Sequence, residues 1–273
     1  MPFRLSPRPA DCHKGDFGAV GVLGGAPGMG GAALLAGRAA LACGAGRVYV
    51  GLLDARIALD PVTPELMIAP PEKLLALPQP ACLVAGPGLG CSAAARDWLQ
   101  GILTLEHPLL LDADALNLVA GDGAMLERVR ARTAPTLITP HPGEAARLLG
   151  LSPAEIQDNR ESAAERLLGL TGATVVLKGA NTLVRAPVSP PWRNTTGNPG
   201  MAAPGMGDVL SGIIAALLAQ GMTTEQAAVA GVWLHGAAGD AAVAAGAGPV
   251  GLAASEVVTA ARRILNESLI LGR

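Results

Sequence analysis

Aromatic side chains are scarce in this chain: two Phe, three Trp and one Tyr make up 2 % of 273 residues. A core must therefore be filled by Ala, Leu, Val and Gly, and hydrophobic residues are half of the total. Small residues on helix faces let helices approach a sheet closely, which favours a layered α/β arrangement over a β-sandwich. Lysine is scarce too, with only Lys14, Lys73 and Lys178. The formal net charge is −2, and no basic block or aromatic-studded basic run is present, which disfavours a nucleic-acid partner. Cys12, Cys43, Cys82 and Cys91 form no CxxC pair and no metal-ligand spacing, so they read as thiols of a reducing compartment. The first twelve residues carry Arg and three prolines but no apolar h-region. The longest apolar stretch, 209–219, is too short to span a bilayer. These absences lead to the expectation of a cytoplasmic protein without a membrane partner.

What is present is a series of short apolar runs, each ending in Gly, Asp or Lys and followed by a helical pattern. Strands are predicted at 19–25, 47–52, 81–85, 108–112, 136–139 and 174–178, with 181–184 as an antiparallel partner of the last. Helices are predicted at 29–43, 92–100, 113–120, 125–133, 143–149, 153–170, 209–220, 224–245 and 253–269. Gly231 or Gly236 is a candidate break in the 224–245 helix, and Ser92 a candidate N-cap. Buried strands alternating with helices imply a mostly parallel sheet covered on both faces. No linker or repeat divides the chain, so one domain over 1–273 is expected. In such sheets ligands bind at the carboxyl ends of the strands, where every glycine loop and polar signature below falls.

The most informative segment runs Asn198-Pro199-Gly200-Met201-Ala202-Ala203-Pro204-Gly205-Met206-Gly207-Asp208-Val209-Leu210-Ser211-Gly212. A glycine turn delivers one carboxylate to the first turn of an apolar helix. The N–H groups of Gly205, Met206, Gly207 and Asp208 have no helical acceptors there and can converge on an anion. An anion hole beside a base is what phosphoryl transfer to an alcohol requires, with Asp208 as the base and the Gly205–Asp208 amides stabilising the moving phosphoryl group. Gly86-Pro87-Gly88-Leu89-Gly90 lies between a strand and a helix, where its backbone can approach a phosphate or ribose. Its GxGxG spacing is not the dinucleotide fingerprint GxGxxG, and no GxxxxGK[ST] occurs, which removes the P-loop kinases.

Asp112 and Asp114, with Asn117, sit at a strand end; they could bind Mg²⁺ through water, orient a loop or cap the next helix. In Thr139-Pro140-His141-Pro142-Gly143-Glu144 two prolines hold His141 extended before a helix that starts with Glu144. That presentation suits His141 to ligand contact, and Glu144 either to ordering Mg²⁺-bound water or to capping. Lys178-Gly179-Ala180-Asn181-Thr182 offers a cation and two hydrogen-bonding side chains to the phosphate and ribose of an adenine nucleotide. His13, His107 and His235 lack comparable context.

These segments, in this order, resemble the ADP/ATP-dependent NAD(P)H-hydrate dehydratases of the ribokinase-like superfamily, from Lys14-Gly15 to the last helices and including Gly31-Ala32-Ala33-Leu34-Leu35-Ala36. The resemblance implies a three-layer α/β/α sandwich with a mostly parallel central sheet. It also implies a repair enzyme in which ADP or ATP phosphorylates the hydroxyl of (S)-hydrated NADH or NADPH, and the phosphate then eliminates. Carried onto this chain, Ala32, Gly88, His141 and Asp208 would contact the hydrated nicotinamide nucleotide. Lys178, Gly179, Ala180, Asn181, Thr182 and Gly207 would hold the adenine nucleotide. Mg²⁺ bridging the phosphates, a homotetramer and a separate NAD(P)H-hydrate epimerase as functional partner are expected on the same basis, with no N-terminal epimerase domain here. One departure stands out: Pro204, which has no N–H, precedes Gly205 where relatives usually carry a small residue. Two other readings stay open, a small-molecule kinase of the same superfamily and a non-catalytic nucleotide-binding protein.

Overall fold

The computed structural model describes residues 5, 7–77 and 81–271. Nine strands form one sheet in the order β3-β2-β1-β4-β5-β6-β7-β8-β9: β1 (Ala19–Gly24), β2 (Arg47–Leu52), β3 (Met67–Ala69), β4 (Ala81–Ala85), β5 (Leu109–Leu111), β6 (Thr136–Ile138), β7 (Thr174–Leu177), β8 (Leu183–Arg185) and β9 (Trp192–Arg193). Strands β1 to β7 pair in parallel, and β8 and β9 add antiparallel to the far edge.

Successive side chains of a strand point to opposite faces, and both faces here are covered. Val20, Val22, Val48, Val50, Cys82, Val84, Leu110 and Val176 pack into one apolar core. It is shared with α1 (Gly30–Ala42), α8 (Met206–Ala219), α9 (Thr224–Ala244) and α10 (Ala254–Leu271). Leu23, Leu83, Leu109, Leu111, Ile138 and Leu177 point the other way. Over them lie α2 (Ala93–Leu103), α3 (Ala113–Ala120), α4 (Gly123–Arg130), α5 (Pro142–Leu149), α6 (Pro153–Asp158) and α7 (Arg160–Thr171). The result is the expected three-layer α/β/α sandwich. Small residues set its spacing: a Cβ on Gly212 of α8 would overlap the Ala36 carbonyl of α1, so the two helices meet backbone to backbone.

Several elements differ from expectation. The predicted helix 153–170 is two helices, because Asn159 leaves helical geometry (φ −142°, ψ 73°) and its side chain caps α7 through Ser162 N–H. The helix α9 runs unbroken through Gly231 and Gly236. Both glycines admit neighbours instead, Ile214 at the first and the Thr196 backbone and hydroxyl at the second. By length and composition α9 could cross a membrane, with a mean hydropathy of 1.2 over 18 residues; it packs here against α8 and α10. β3, β9 and the 3-10 turns Lys14–Phe17, Pro71–Ala76 and Pro199–Met201 were not predicted. Ser92 does cap α2, accepting from Ala95 N–H at 3.2 Å.

Candidate active site

The site forms where the carboxyl ends of β1, β4, β5, β6 and β7 meet the start of α8. Gly205 sits at φ +86°, a left-handed conformation that glycine adopts without cost, and it turns the chain into α8. A Cβ there would press on Leu35 of α1 and Ala254 of α10, so the turn is fixed by three packed helices. No side chain among the described residues caps α8. The N–H groups of Met206, Gly207 and Asp208 have no acceptor among the described residues and point out of the helix start, where the macrodipole favours an anion.

Asp208 occupies this first turn, half-buried, and its carboxylate accepts no hydrogen bond among the described residues. Burial pushes its pKa up to about 7. The nearby charges of Asp112, Asp114 and Glu144 push the same way, and the Lys178 ammonium opposes them. A carboxyl poised near neutrality in a cleft is suited to general base work.

Below Asp208 lies a charged junction that the sequence reading left ambiguous. Asp112, buried at the end of β5, accepts from Lys178 Nζ at 2.6 Å and from Ser211 Oγ at 2.7 Å. Its side chain makes no capping bond to α3. Asp114 does not cap either: it accepts from Gly90 N–H at 2.8 Å and from Asn117 Nδ2 at 3.2 Å, pinning the Gly86–Gly90 loop. Ala113 between them is held at φ +47°, a conformation that costs an alanine about 1–3 kcal/mol and marks a tightly specified strand end. Gly86 must be glycine, since a Cβ would overlap the Asp112 carbonyl.

Lys178 reaches inward rather than along its own loop. Its ammonium is 3.8 Å from Glu144 Oε2 and 3.2 Å from where a Cβ on Gly207 would stand. Burial works against its charge, but Asp112 and Glu144 outweigh burial and hold its pKa above the ordinary lysine value. The structure thus divides the stretch assigned to the adenine nucleotide. Lys178 and Gly207 come together beneath the anion hole, whereas Gly179, Ala180 and Asn181 form an exposed turn with Thr182 Oγ1 tied to Gly179 O.

His141 caps α5. Its Nδ1 accepts from the Gly143 and Glu144 N–H groups at 2.9 and 3.4 Å, which places the ring proton on Nε2, 3.2 Å from Glu144 Oε1. Burial, then the charges of Lys178 and Arg147, depress its pKa, which favours the neutral ring, and the Asp112 charge opposes them. Glu144 Oε2 accepts from His141 N–H at 2.7 Å, completing a capping box. Burial raises the Glu144 pKa against the pull of Lys178. Both its oxygens are therefore engaged, and among the described residues no three His, Cys, Asp or Glu side chains gather as a metal cluster.

Ala32 and Gly88 lie side by side: a Cβ on Gly88 (φ +58°) would touch the Ala32 methyl and the Met29 backbone. Two further residues escaped the sequence reading. Asp240 of α9 accepts from Gly197 N–H and Asn198 Nδ2 at 2.8 and 3.0 Å and anchors the loop leading to Gly205. His235, read as incidental, lies against the Met206 backbone; burial first, then Lys178, pushes its pKa down to about 4. Neither carries a local motif, since their partners lie far away in sequence. A concavity of about 910 Å³, lined by Phe17, Cys43 and Met222, opens at the opposite end of α8 and is remote from this chemistry.

The family model described as NAD(P)H-hydrate dehydratase matches residues 20–262, spanning every element of this site. The chain belongs to the NAD(P)H-hydrate dehydratase family. It is 44 % identical to the ADP-dependent (S)-NAD(P)H-hydrate dehydratase of Neisseria meningitidis, over 97 % of this chain and 91 % of that protein. It is 43 % identical to the bifunctional NAD(P)H-hydrate repair enzyme of Escherichia coli, covering 96 % of this chain but only 50 % of that longer protein. The crystal structure of the ADP/ATP-dependent NAD(P)H-hydrate dehydratase from Bacillus subtilis, co-crystallised with ATP and Mg²⁺, superposes with a TM-score of 0.83 at 30 % identity, covering 97 % of this chain and 95 % of that one. The dehydratase fold is ribokinase-like, as the resemblance implied.

Proposed function

We propose that this protein is an ADP- or ATP-dependent (S)-NAD(P)H-hydrate dehydratase that restores NADH and NADPH from their hydrated forms. The observation that carries the reading is the Asp208 carboxylate, unpartnered among the described residues and titrating near neutrality, beside three amides with no acceptor there. Asp208 would take the proton from the ring hydroxyl as its oxygen attacks the terminal phosphorus, and ADP or AMP would leave. The Met206–Asp208 amides would carry the charge of the moving phosphoryl group, with Lys178 behind them. Water is a poor leaving group and phosphate a good one: with the lone pair of the ring nitrogen pushing, the carbon–oxygen bond breaks, the neighbouring carbon gives up a proton, and the dihydropyridine returns. Mg²⁺ on the nucleotide phosphates would supply charge neutralisation there, and Glu144 would reach it only through water. Ala32, Gly88 and His141 would contact the hydrated nicotinamide nucleotide, and Gly179, Ala180, Asn181 and Thr182 the adenine nucleotide. A homotetramer, a cytoplasmic setting and an NAD(P)H-hydrate epimerase as partner complete the proposal.

The test mixes pure protein, hydrated NADH, Mg²⁺ and either ADP or ATP. The expected result is return of the reduced-nicotinamide absorbance with one phosphate released per turnover. A stable phosphate ester without that absorbance would make the protein a kinase, and no nucleotide consumption would make it a binding protein.

His141→Asn separates capping from ligand contact. Asn is a good N-cap, so unfolding free energy from urea titration should change by less than about 1 kcal/mol. Loss of the ring should raise KM for hydrated NADH about tenfold, the worth of one hydrogen bond, with kcat falling less. Unchanged KM would confine His141 to its capping role.

A further inference from the structure

A second cavity, of about 670 Å³, opens at the carboxyl ends of β2 and β3, beside the start of α2. Its walls are Leu52, Ile57, Ile68 and the indole of Trp98, one of six aromatic side chains in the whole chain. Its charged lining is Asp54 and Glu72; no Lys or Arg among the described residues lines it. The nearby guanidinium of Arg56 is engaged by Asp54 through two bonds of 2.8 and 2.7 Å.

This cavity is continuous with the glycine loops of the site just described. Ala26 lines it and donates its N–H to Gly88 O at 2.7 Å. Ile57 lines it and lies against Gly30, so closely that a Cβ on Gly30 would overlap the Ile57 side chain. The helix α1 starts there without a side-chain cap. The Gly30 and Gly31 N–H groups have no acceptor among the described residues, and open space lies over Gly31. From β5, whose end carries Asp112, to β2 is three strand spacings, or about 15 Å. The order along the sheet is thus a base and anion hole, then two free amides at a helix start, then an apolar slot with an aromatic wall. That is the order of chemical groups in a dinucleotide: reacting ring, diphosphate, purine.

We infer that this cavity receives the adenosine half of the hydrated dinucleotide, stacked on Trp98, and that Glu72 on its rim favours a distal ribose without a 2′-phosphate. The inference rests on the dehydratase reading and extends it to how the far end of the substrate is held. Base–aromatic contacts tolerate any base and are sensitive to loss of the ring. A phosphate dianion brought to a rim of carboxylates, with no cation lining the slot to meet it, is repelled.

The experiment compares hydrated NADH, hydrated NADPH and hydrated reduced nicotinamide mononucleotide, which lacks the adenylate half. Wild-type protein should favour hydrated NADH over hydrated NADPH in kcat/KM by about tenfold, and the mononucleotide should be the poorest substrate. Trp98→Ala should lower kcat/KM about tenfold for both dinucleotides and leave the mononucleotide unaffected. Glu72→Arg, at an exposed position that does not threaten folding, should raise the ratio of hydrated NADPH to hydrated NADH about tenfold or more. Equal losses on all three substrates with Trp98→Ala, or an unmoved ratio with Glu72→Arg, overturn the subsite while leaving the dehydratase reading standing. Turnover of none of the three by the wild type overturns that reading and the subsite together.

Discussion

Asp208→Asn is expected to lower turnover about 10²–10⁴-fold while adenine-nucleotide binding stays nearly unchanged. The amide fills the same space and leaves the main-chain N–H groups of positions 206, 207 and 208 where they are, so the anion hole survives. What is lost is the unengaged carboxylate at the start of α8. Single-turnover assays and nucleotide titration by calorimetry separate the two effects. Retention of more than a tenth of wild-type turnover would remove Asp208 from the role of base.

The same residue fixes two pH dependences with opposite signs. A base must be ionised, so kcat/KM should rise with pH through about 7 and level off above it. For stability, the folded-state value of about 7 lies above the ordinary 3.8. The folded protein therefore holds this proton more tightly than the unfolded chain does. Any stability that proton confers is fully present below 3.8 and is lost as pH rises through about 7. Asp208→Asn removes the ionisation, so the variant should unfold at higher denaturant than the wild type above about pH 8 and converge with it in acid. A catalytically dead variant that is more stable in alkali is the mark of a carboxylate placed for function against the preference of its surroundings.

Much of this was legible before the structure. The valine- and leucine-rich runs at 19–24, 47–52, 81–85 and 174–177 were legible because short apolar runs between turn signals suit strands covered on both faces, and they pair in parallel within one sheet. The glycine turn before Asp208 was legible because a left-handed residue followed by an apolar helix has few alternatives. The edge strands were not. Met67–Ala69 and Trp192–Arg193 are three and two residues long, too short for alternation to register, and they are strands only because β2 and β8 supply partners. Gly231 and Gly236 looked like breaks because sequence cannot distinguish a glycine that ends a helix from one that lets Ile214 or Thr196 approach it. The junction under the anion hole was hidden for a related reason. Asp112 finds its partners 66 and 99 positions away, in Lys178 and Ser211, and no local spacing reports such pairs.

That junction carries the largest expected effect on stability. Asp112→Ala should destabilise the fold by about 2–4 kcal/mol, because it leaves the largely buried Lys178 ammonium with only Glu144 at 3.8 Å and strips Ser211 of its acceptor. Lys178→Met should cost a similar amount by stranding Asp112 in the same place. The double variant Asp112→Ala with Lys178→Met should recover a large part of the loss, since an apolar pair needs no compensating charge. Urea unfolding of the four proteins measures this coupling; additive losses would show that the two groups do not stabilise each other. The charges also act on Asp208 in opposite senses. Asp112 raises its pKa and Lys178 lowers it. The acid limb of kcat/KM should therefore move below about 7 in Asp112→Asn and above it in Lys178→Met. Movement of both limbs in one direction would mean that the variants act through a shifted helix start rather than through charge. The two measurements together separate the junction's part in holding β5, β7 and α8 in register from its part in setting the base.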